Sequence, residues 1–196
     1  LAEASGFTVI SFAYRLAPEN IYPAQLTDAY EVWEAVGGRE CAPGEMLFAG
    51  DSAGGNLVLC LTQRLIIERK ETPRALILFS PWTDMTISSD SYDRYKEKDP
   101  ILTSEYIYGV RAAFAGEQLS DEEFAGARYS PINGSFDGFP PALIQVGRNE
   151  ILFGDSETLA GRMLAAGSRA ILDIEEEGWH VYQQMPLPMS RRAMQR

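Results

Sequence analysis

Ser52 stands between Gly50 and Gly54 in the run Phe48-Ala49-Gly50-Asp51-Ser52-Ala53-Gly54-Gly55-Asn56, after an apolar stretch and before a helix-like one. A G-x-S-x-G in that setting is the pattern of a nucleophile elbow, a strand-to-helix turn that holds a serine hydroxyl clear of the sheet. Small residues at 50 and 54 suit so tight a turn. A helix starting near Ala53 would aim free backbone N–H groups and the positive end of its dipole at the same point. Serine needs a base to become a useful nucleophile, and the base needs a carboxylate to hold it in the productive tautomer. The chain has a single histidine, His180, and it follows both Ser52 and the acid candidates in the order nucleophile, acid, base. Glu150, just past an apolar run ending at Val146, is the preferred acid. Asp155 is the competing candidate, with an alternative reading as the N-cap of a helix beginning Ser156-Glu157-Thr158-Leu159-Ala160. Asp84, after Ser80-Pro81-Trp82, reads as a structural turn residue. Asp51 reads as a brace for the loop backbone beside the serine, because adjacent side chains on a tight turn point apart. Arg15 and Glu19 read as a buried polar bracket.

Positioning such a site requires strands that end together, and short β-rich runs do alternate with helical ones along the chain, the pattern of an α/β fold with a mostly parallel sheet. Strands are expected at Phe7–Tyr14, Glu45–Ala49, Ala75–Ser80, Pro141–Val146 and Ala170–Ile174. Pro23 is expected to open a helix running through Trp33 towards Gly37-Gly38. A second helix follows the elbow, from about Ala53 through Asn56 to Arg69, apolar on nearly every face. Between Thr86 and Phe139 the alternation lapses into a polar, Tyr-rich stretch, read here as a helical insertion.

Composition sets outer limits. At 196 residues and 45% hydrophobic, the chain is long enough for one domain with a sizeable core. A net charge of −11 argues against nucleic acid as a partner. Two cysteines, Cys41 and Cys60, are too few for a disulfide framework and lack metal-ligand spacing, which fits a reducing, cytoplasmic compartment. No apolar run reaches membrane-spanning length, so stable membrane insertion is not expected.

Beyond the elbow, four further segments occur in a telling order: Tyr14-Arg15-Leu16-Ala17-Pro18-Glu19 with Tyr22-Pro23-Ala24 and Asp28-Ala29, then Asp99-Pro100-Ile101-Leu102, Gly147-Arg148-Asn149-Glu150-Ile151-Leu152, and Gly178-Trp179-His180-Val181. With the elbow they resemble the α/β-hydrolases of the hormone-sensitive-lipase family, bacterial esterase branch, over almost the whole chain. The resemblance implies an α/β-hydrolase fold with a partial helical cap insertion at 86–139. Tyr106, Tyr108 and Phe114 would be cap-side wall residues, or simply pack the insertion onto the body. It implies ester hydrolysis by Ser52, His180 and Glu150 on a short-chain acyl ester, without metal, nucleotide or flavin. The family's oxyanion hole takes one N–H from the residue after the nucleophile, here Ala53, and others from a histidine-glycine-glycine motif further upstream. No such motif occurs in this sequence, and Leu1-Ala2-Glu3-Ala4-Ser5-Gly6 reads as the tail of the helix that should follow it. Residues 1–196 are therefore expected to form a single α/β-hydrolase domain, incomplete at both ends, with homodimerisation open. The second reading is a catalytically degenerate α/β-hydrolase-like fragment that binds a ligand or a partner chain.

Overall fold

The structure, a computed structural model, describes residues 2–37, 39 and 41–196. Its centre is a sheet of four parallel strands in the order β1-β2-β3-β4: β1 Leu47–Asp51, β2 Ala75–Phe79, β3 Ala142–Gly147 and β4 Ala170–Glu175. Parallel neighbours need long crossovers. Helix α3 (Ala53–Ile67) links β1 to β2, and α7 (Phe153–Ala165) links β3 to β4. Ahead of the sheet lie a short helical turn, α1 (Ala2–Ser5), and α2 (Ala24–Val36), which packs on α3 through Ala29, Trp33, Leu61 and Leu65. Leu1 and Gly38, which the sequence reading places at helix ends, lie outside the described residues.

The core follows the two-residue period of the strands. Leu76, Leu78 and Ile144 point to one face, where Val58 and Leu59 of α3 and Leu159, Ala160 and Met163 of α7 meet them. On the opposite face Gln145 and Asp173 meet α8 (Pro188–Ala193) and the residues after it: Gln145 donates to the Ala193 carbonyl at 2.8 Å, and Arg196 pairs with Asp173.

The stretch between β2 and β3 is helical: α4 (Ser91–Arg94), α5 (Ser104–Ala115) and α6 (Asp121–Phe124). Local chemistry sets these helices. The Thr103 hydroxyl caps α5 by accepting from Tyr106 N–H at 3.2 Å, Gly116 ends α5 in the left-handed region, and Ser120 and Glu123 form a capping box on α6. The insertion has its own apolar cluster, in which Tyr92, Leu102, Ile107, Phe124 and Tyr129 pack on Trp82, Met85, Ile151 and Leu152 of the body.

Two element expectations need correction. Phe7–Tyr14 forms no strand: β1 pairs with β2 alone, and Phe7 and Ile10 are 63% and 52% exposed. β-propensity needs a neighbouring ladder to become a strand, and among the described residues this segment has none. It is tethered instead by Arg15, which binds Asp28 of α2 through both its backbone and its guanidinium, and by Tyr22 N–H donating to Phe114 O at 2.9 Å. The strand expected at Glu45–Ala49 starts two residues later, because Pro43–Glu45 form a 3₁₀ turn, and it runs on to Asp51.

Leu59 and Ile144 are fully buried between helix and sheet, whereas Ile171, on the open face of β4, is 65% exposed. Leu59→Ala and Ile144→Ala should each cost about 2–5 kcal/mol of stability and Ile171→Ala well under 1 kcal/mol, as read from urea unfolding midpoints.

Candidate active site

Parallel strands all finish on the same edge of a sheet, and loops beyond that edge are where α/β folds gather their sites. Here Ser52 follows β1, Ser80 follows β2, Glu150 lies just beyond β3, and His180 lies in the loop after β4.

The turn at Ser52 is sharp. Its backbone is at φ 52° and ψ −118°, a region that non-glycine residues rarely occupy. Ser52 N–H donates to Phe79 O at 2.9 Å and Ser52 O accepts from Trp82 N–H at 3.0 Å, so the elbow is fastened to the end of β2. A Cβ on Gly50 would sit 2.5 Å from the Gly54 carbonyl carbon, and one on Gly55 would sit 2.6 Å from the Pro81 Cβ. Gly54, by contrast, has room, its nearest neighbour being an Asp51 carboxylate oxygen at 3.8 Å. The spatially required glycines are therefore Gly50 and Gly55, and the second glycine of the G-x-S-x-G pattern is not one of them.

The structure brings three of the site residues together. Ser52 Oγ lies 3.0 Å from His180 Nε2, and His180 Nδ1 lies 3.4 Å from Glu150 Oε1. Glu150 is fully buried, and its other oxygen, Oε2, accepts from Ser80 Oγ and from Gly147 N–H, each at 2.9 Å. An ionised carboxylate can only accept, so for a neutral imidazole this pairing selects the tautomer with its proton on Nδ1 and the Nε2 lone pair toward the serine. Burial pushes the Glu150 carboxyl above its ordinary range, opposed by His180 and by the Gly147 and Ser80 donors. Ala53 is the first residue of α3, where a backbone N–H has no acceptor within the helix.

Asp155 is elsewhere. It lies inside the first turn of α7, not ahead of it, and its Oδ2 accepts from Thr83 N–H at 2.9 Å, Asp84 N–H at 2.9 Å and Thr83 Oγ1 at 3.4 Å. It thus ties α7 to the loop after β2 instead of capping its own helix. Asp84 organises that loop, accepting from Thr86 N–H, Thr86 Oγ1 and Ser88 Oγ. Asp51 accepts from the Gln184 side chain at 3.0 Å, not from loop backbone. The expected Arg15–Glu19 bracket is an exposed Arg15–Asp28 pair at 2.6 Å.

Beside the elbow lies an apolar cavity of about 300 Å³ that reaches Ala53. Tyr14, Leu16 and Tyr22 form one side of it, Leu57 and Cys60 of α3 another, and Tyr106, Val110 and Phe114 of α5 a third. Tyr108 is not part of this wall; it is 47% exposed, with the Arg111 guanidinium over its ring. Cys41 and Cys60 are both free thiols, and burial pushes Cys60 up to about 12. Ser80 is a site residue that the sequence reading passed over as part of a strand.

Residues 1–184 match the protein family described as alpha/beta hydrolase fold. The chain belongs to that family. It is 33% identical over 183 residues to an esterase of Acinetobacter venetianus, a match covering 93% of this chain and 59% of that protein. It is 31% identical to an acetyl-hydrolase of Streptomyces hygroscopicus, covering 100% of this chain and 64% of the relative. Among solved structures, an esterase of the bacterial hormone-sensitive lipase family superimposes with a TM-score of 0.84 at 33% identity, over 93% of this chain and 61% of that one. The chain thus spans about three fifths of the length of these relatives. Among the described residues, no helix of this α/β hydrolase is long and apolar enough to cross a membrane.

The state of the Asp155 carboxylate can be tested through pH. Burial, with the Asp84 charge adding to it and the Thr83 and Asp84 N–H groups opposing, pushes Asp155 up to about 7. A folded-state value above the unfolded one means the protonated form favours the fold. Its contribution is full below about pH 4 and is lost as pH rises through about 7. Asp155→Asn, neutral throughout, should therefore gain in melting temperature relative to wild type between about pH 5 and pH 8. Parallel melting curves would show that Asp155 is ionised over the whole range.

Proposed function

We propose that this chain carries the catalytic machinery of a carboxylic ester hydrolase acting on short acyl esters. The observation that carries the proposal is the 3.0 Å approach of Ser52 Oγ to a histidine nitrogen whose opposite nitrogen is backed by a buried carboxylate. His180 Nε2 takes the Ser52 proton as Oγ attacks the ester carbonyl carbon, and the resulting imidazolium is stabilised by Glu150. The carbonyl oxygen gains charge, and the Ala53 N–H at the positive end of α3 is the donor the elbow supplies to it. When the tetrahedral intermediate collapses, His180 returns the proton to the departing alcohol and an acyl-Ser52 ester remains. Water then repeats the sequence, with His180 again as base, releasing the carboxylic acid and free serine.

A short acyl group fits the size of the cavity at Ala53, which is at the small end for ligand pockets and lined mainly by apolar side chains. The acetyl-hydrolase among the relatives supports the same reading. The paired geometry also favours catalysis over the ligand-binding alternative, since a binding fragment has no use for a histidine fixed in one tautomer against a serine.

The test is hydrolysis of p-nitrophenyl acetate, butyrate and palmitate by the chain and four variants. Ser52→Ala and His180→Ala should each lower kcat/KM by about 10⁴-fold or more, and Glu150→Gln by about 10²–10⁴-fold. Asp155→Asn should stay within about tenfold of wild type, since that carboxylate touches none of the reacting groups. Butyrate should be cleaved and palmitate barely. Turnover that survives Ser52→Ala would sink the proposal.

A further inference from the structure

Ser80 is the strand-end residue to which the reaction above gives no task. It follows β2 directly, is fully buried, and has a left-handed backbone at φ 46°. Its N–H donates to Gln145 O of β3 at 2.8 Å, which fixes the turn from the backbone side. Its hydroxyl makes two contacts that have nothing to do with the turn. It lies 2.9 Å from Glu150 Oε2 and accepts from Val181 N–H at 3.1 Å. Val181 is the residue after His180 and is itself left-handed, at φ 50°. With the Val181 N–H occupying one lone pair, the single hydroxyl proton is committed to Glu150.

Resting on the triad reading above, the geometry points to Ser80 as a positioning residue of this site: one hydroxyl clamps the acid and the histidine loop together, so the base is oriented before substrate arrives. Glu150 has Oε2 held by Ser80 and Gly147, which leaves Oε1 free to face His180. Without the hydroxyl, Oε2 keeps one donor, the carboxylate is freer to turn, and a buried Val181 N–H loses its acceptor. The other ionisable groups beside the Glu150 carboxylate are His180 and Tyr182. Neither replaces the lost donor at Oε2, so Glu150 is a less firmly held partner for His180 Nδ1.

A serine that merely fills the turn would behave differently, and two variants separate the cases. Glycine accepts φ 46° without the penalty a Cβ carries there, so Ser80→Gly removes the hydroxyl while easing the turn, and Ser80→Ala removes the hydroxyl alone. The readouts are the rate of labelling by a fluorophosphonate, the proton resonance of His180 Nδ1–H, and the melting temperature. The resonance is unambiguous because the chain has one histidine. Both variants should label roughly tenfold more slowly, in line with a hydrogen bond to a charged group. Both should show a Nδ1–H resonance moved upfield, while Ser80→Gly melts no lower than Ser80→Ala. Wild-type labelling and resonance in Ser80→Gly would overturn the inference. Should the wild-type chain label too slowly to follow, the resonance decides alone. Ser52→Ala and Glu150→Gln keep the two claims apart. Labelling that persists in the first, or a Nδ1–H resonance unmoved in the second, would overturn the triad reading itself.

Discussion

A fully buried carboxylate is the feature on which the site depends. Glu150 has no access to water, and an ionised group in that position is tolerated only when its oxygens are taken up by donors. Its donors come from three places: Ser80 at the end of β2, Gly147 at the end of β3, and His180 in the loop after β4. Each must arrive at hydrogen-bonding distance, so the ends of three strands are tied to one point. The parallel register makes this achievable, since Phe79 lies beside Gln145 and Gln145 beside Asp173 across the sheet. Ser52 joins the group because β1 runs in the same direction against β2 and ends level with it, Asp51 opposite Phe79.

Strain gathers at the same edge. Five non-glycine residues among those described have positive φ, and three of them, Ser52, Ser80 and Val181, lie at the candidate site. Each such residue costs on the order of 1–3 kcal/mol and persists only where its surroundings leave no alternative. For Ser52 the surroundings are two backbone hydrogen bonds to the end of β2 and the close approaches at Gly50 and Gly55. For Ser80 and Val181 they include the hydroxyl bond that joins the two. The strain therefore sits on Ser52 and on the Ser80–Val181 pair beside His180, while the apolar core includes Leu59, Leu76, Leu78 and Ile144.

What the sequence disclosed follows the same division. β2, β3 and β4 were legible to within a residue because their apolar runs are bounded by polar or turn residues, and Ser52, Glu150 and His180 stood out by chemistry and order. β1 was displaced because a run of apolar residues does not reveal that Pro43–Glu45 closes a 3₁₀ turn. Phe7–Tyr14 has strand composition and no ladder partner among the described residues, which composition alone does not report. Side-chain pairings were the least legible. Arg15 finds Asp28 instead of Glu19, and Asp51 finds Gln184, 133 residues away. Ser80 carried no local signal, since a serine at a strand end is ordinary and its importance comes from two partners 70 and 101 residues further on.

Glu150 and Asp155 show why proximity in sequence left the acid open and why the fold separates the two. Both are buried carboxylates, five positions apart, on either side of the start of α7. The difference lies in what their oxygens face. The contacts made by Asp155 run to the backbone and hydroxyl of Thr83 and the backbone of Asp84, neutral donors that need an acceptor and nothing more, and burial leaves that carboxyl titrating near neutrality. Glu150 divides its work. One oxygen is fixed by the scaffold and the other faces an imidazole, which under the proposed mechanism accepts and returns a proton. A carboxylate held on one side and free on the other can follow the charge on a histidine without moving. That property suits Glu150 to orienting a base and Asp155 to fastening a helix.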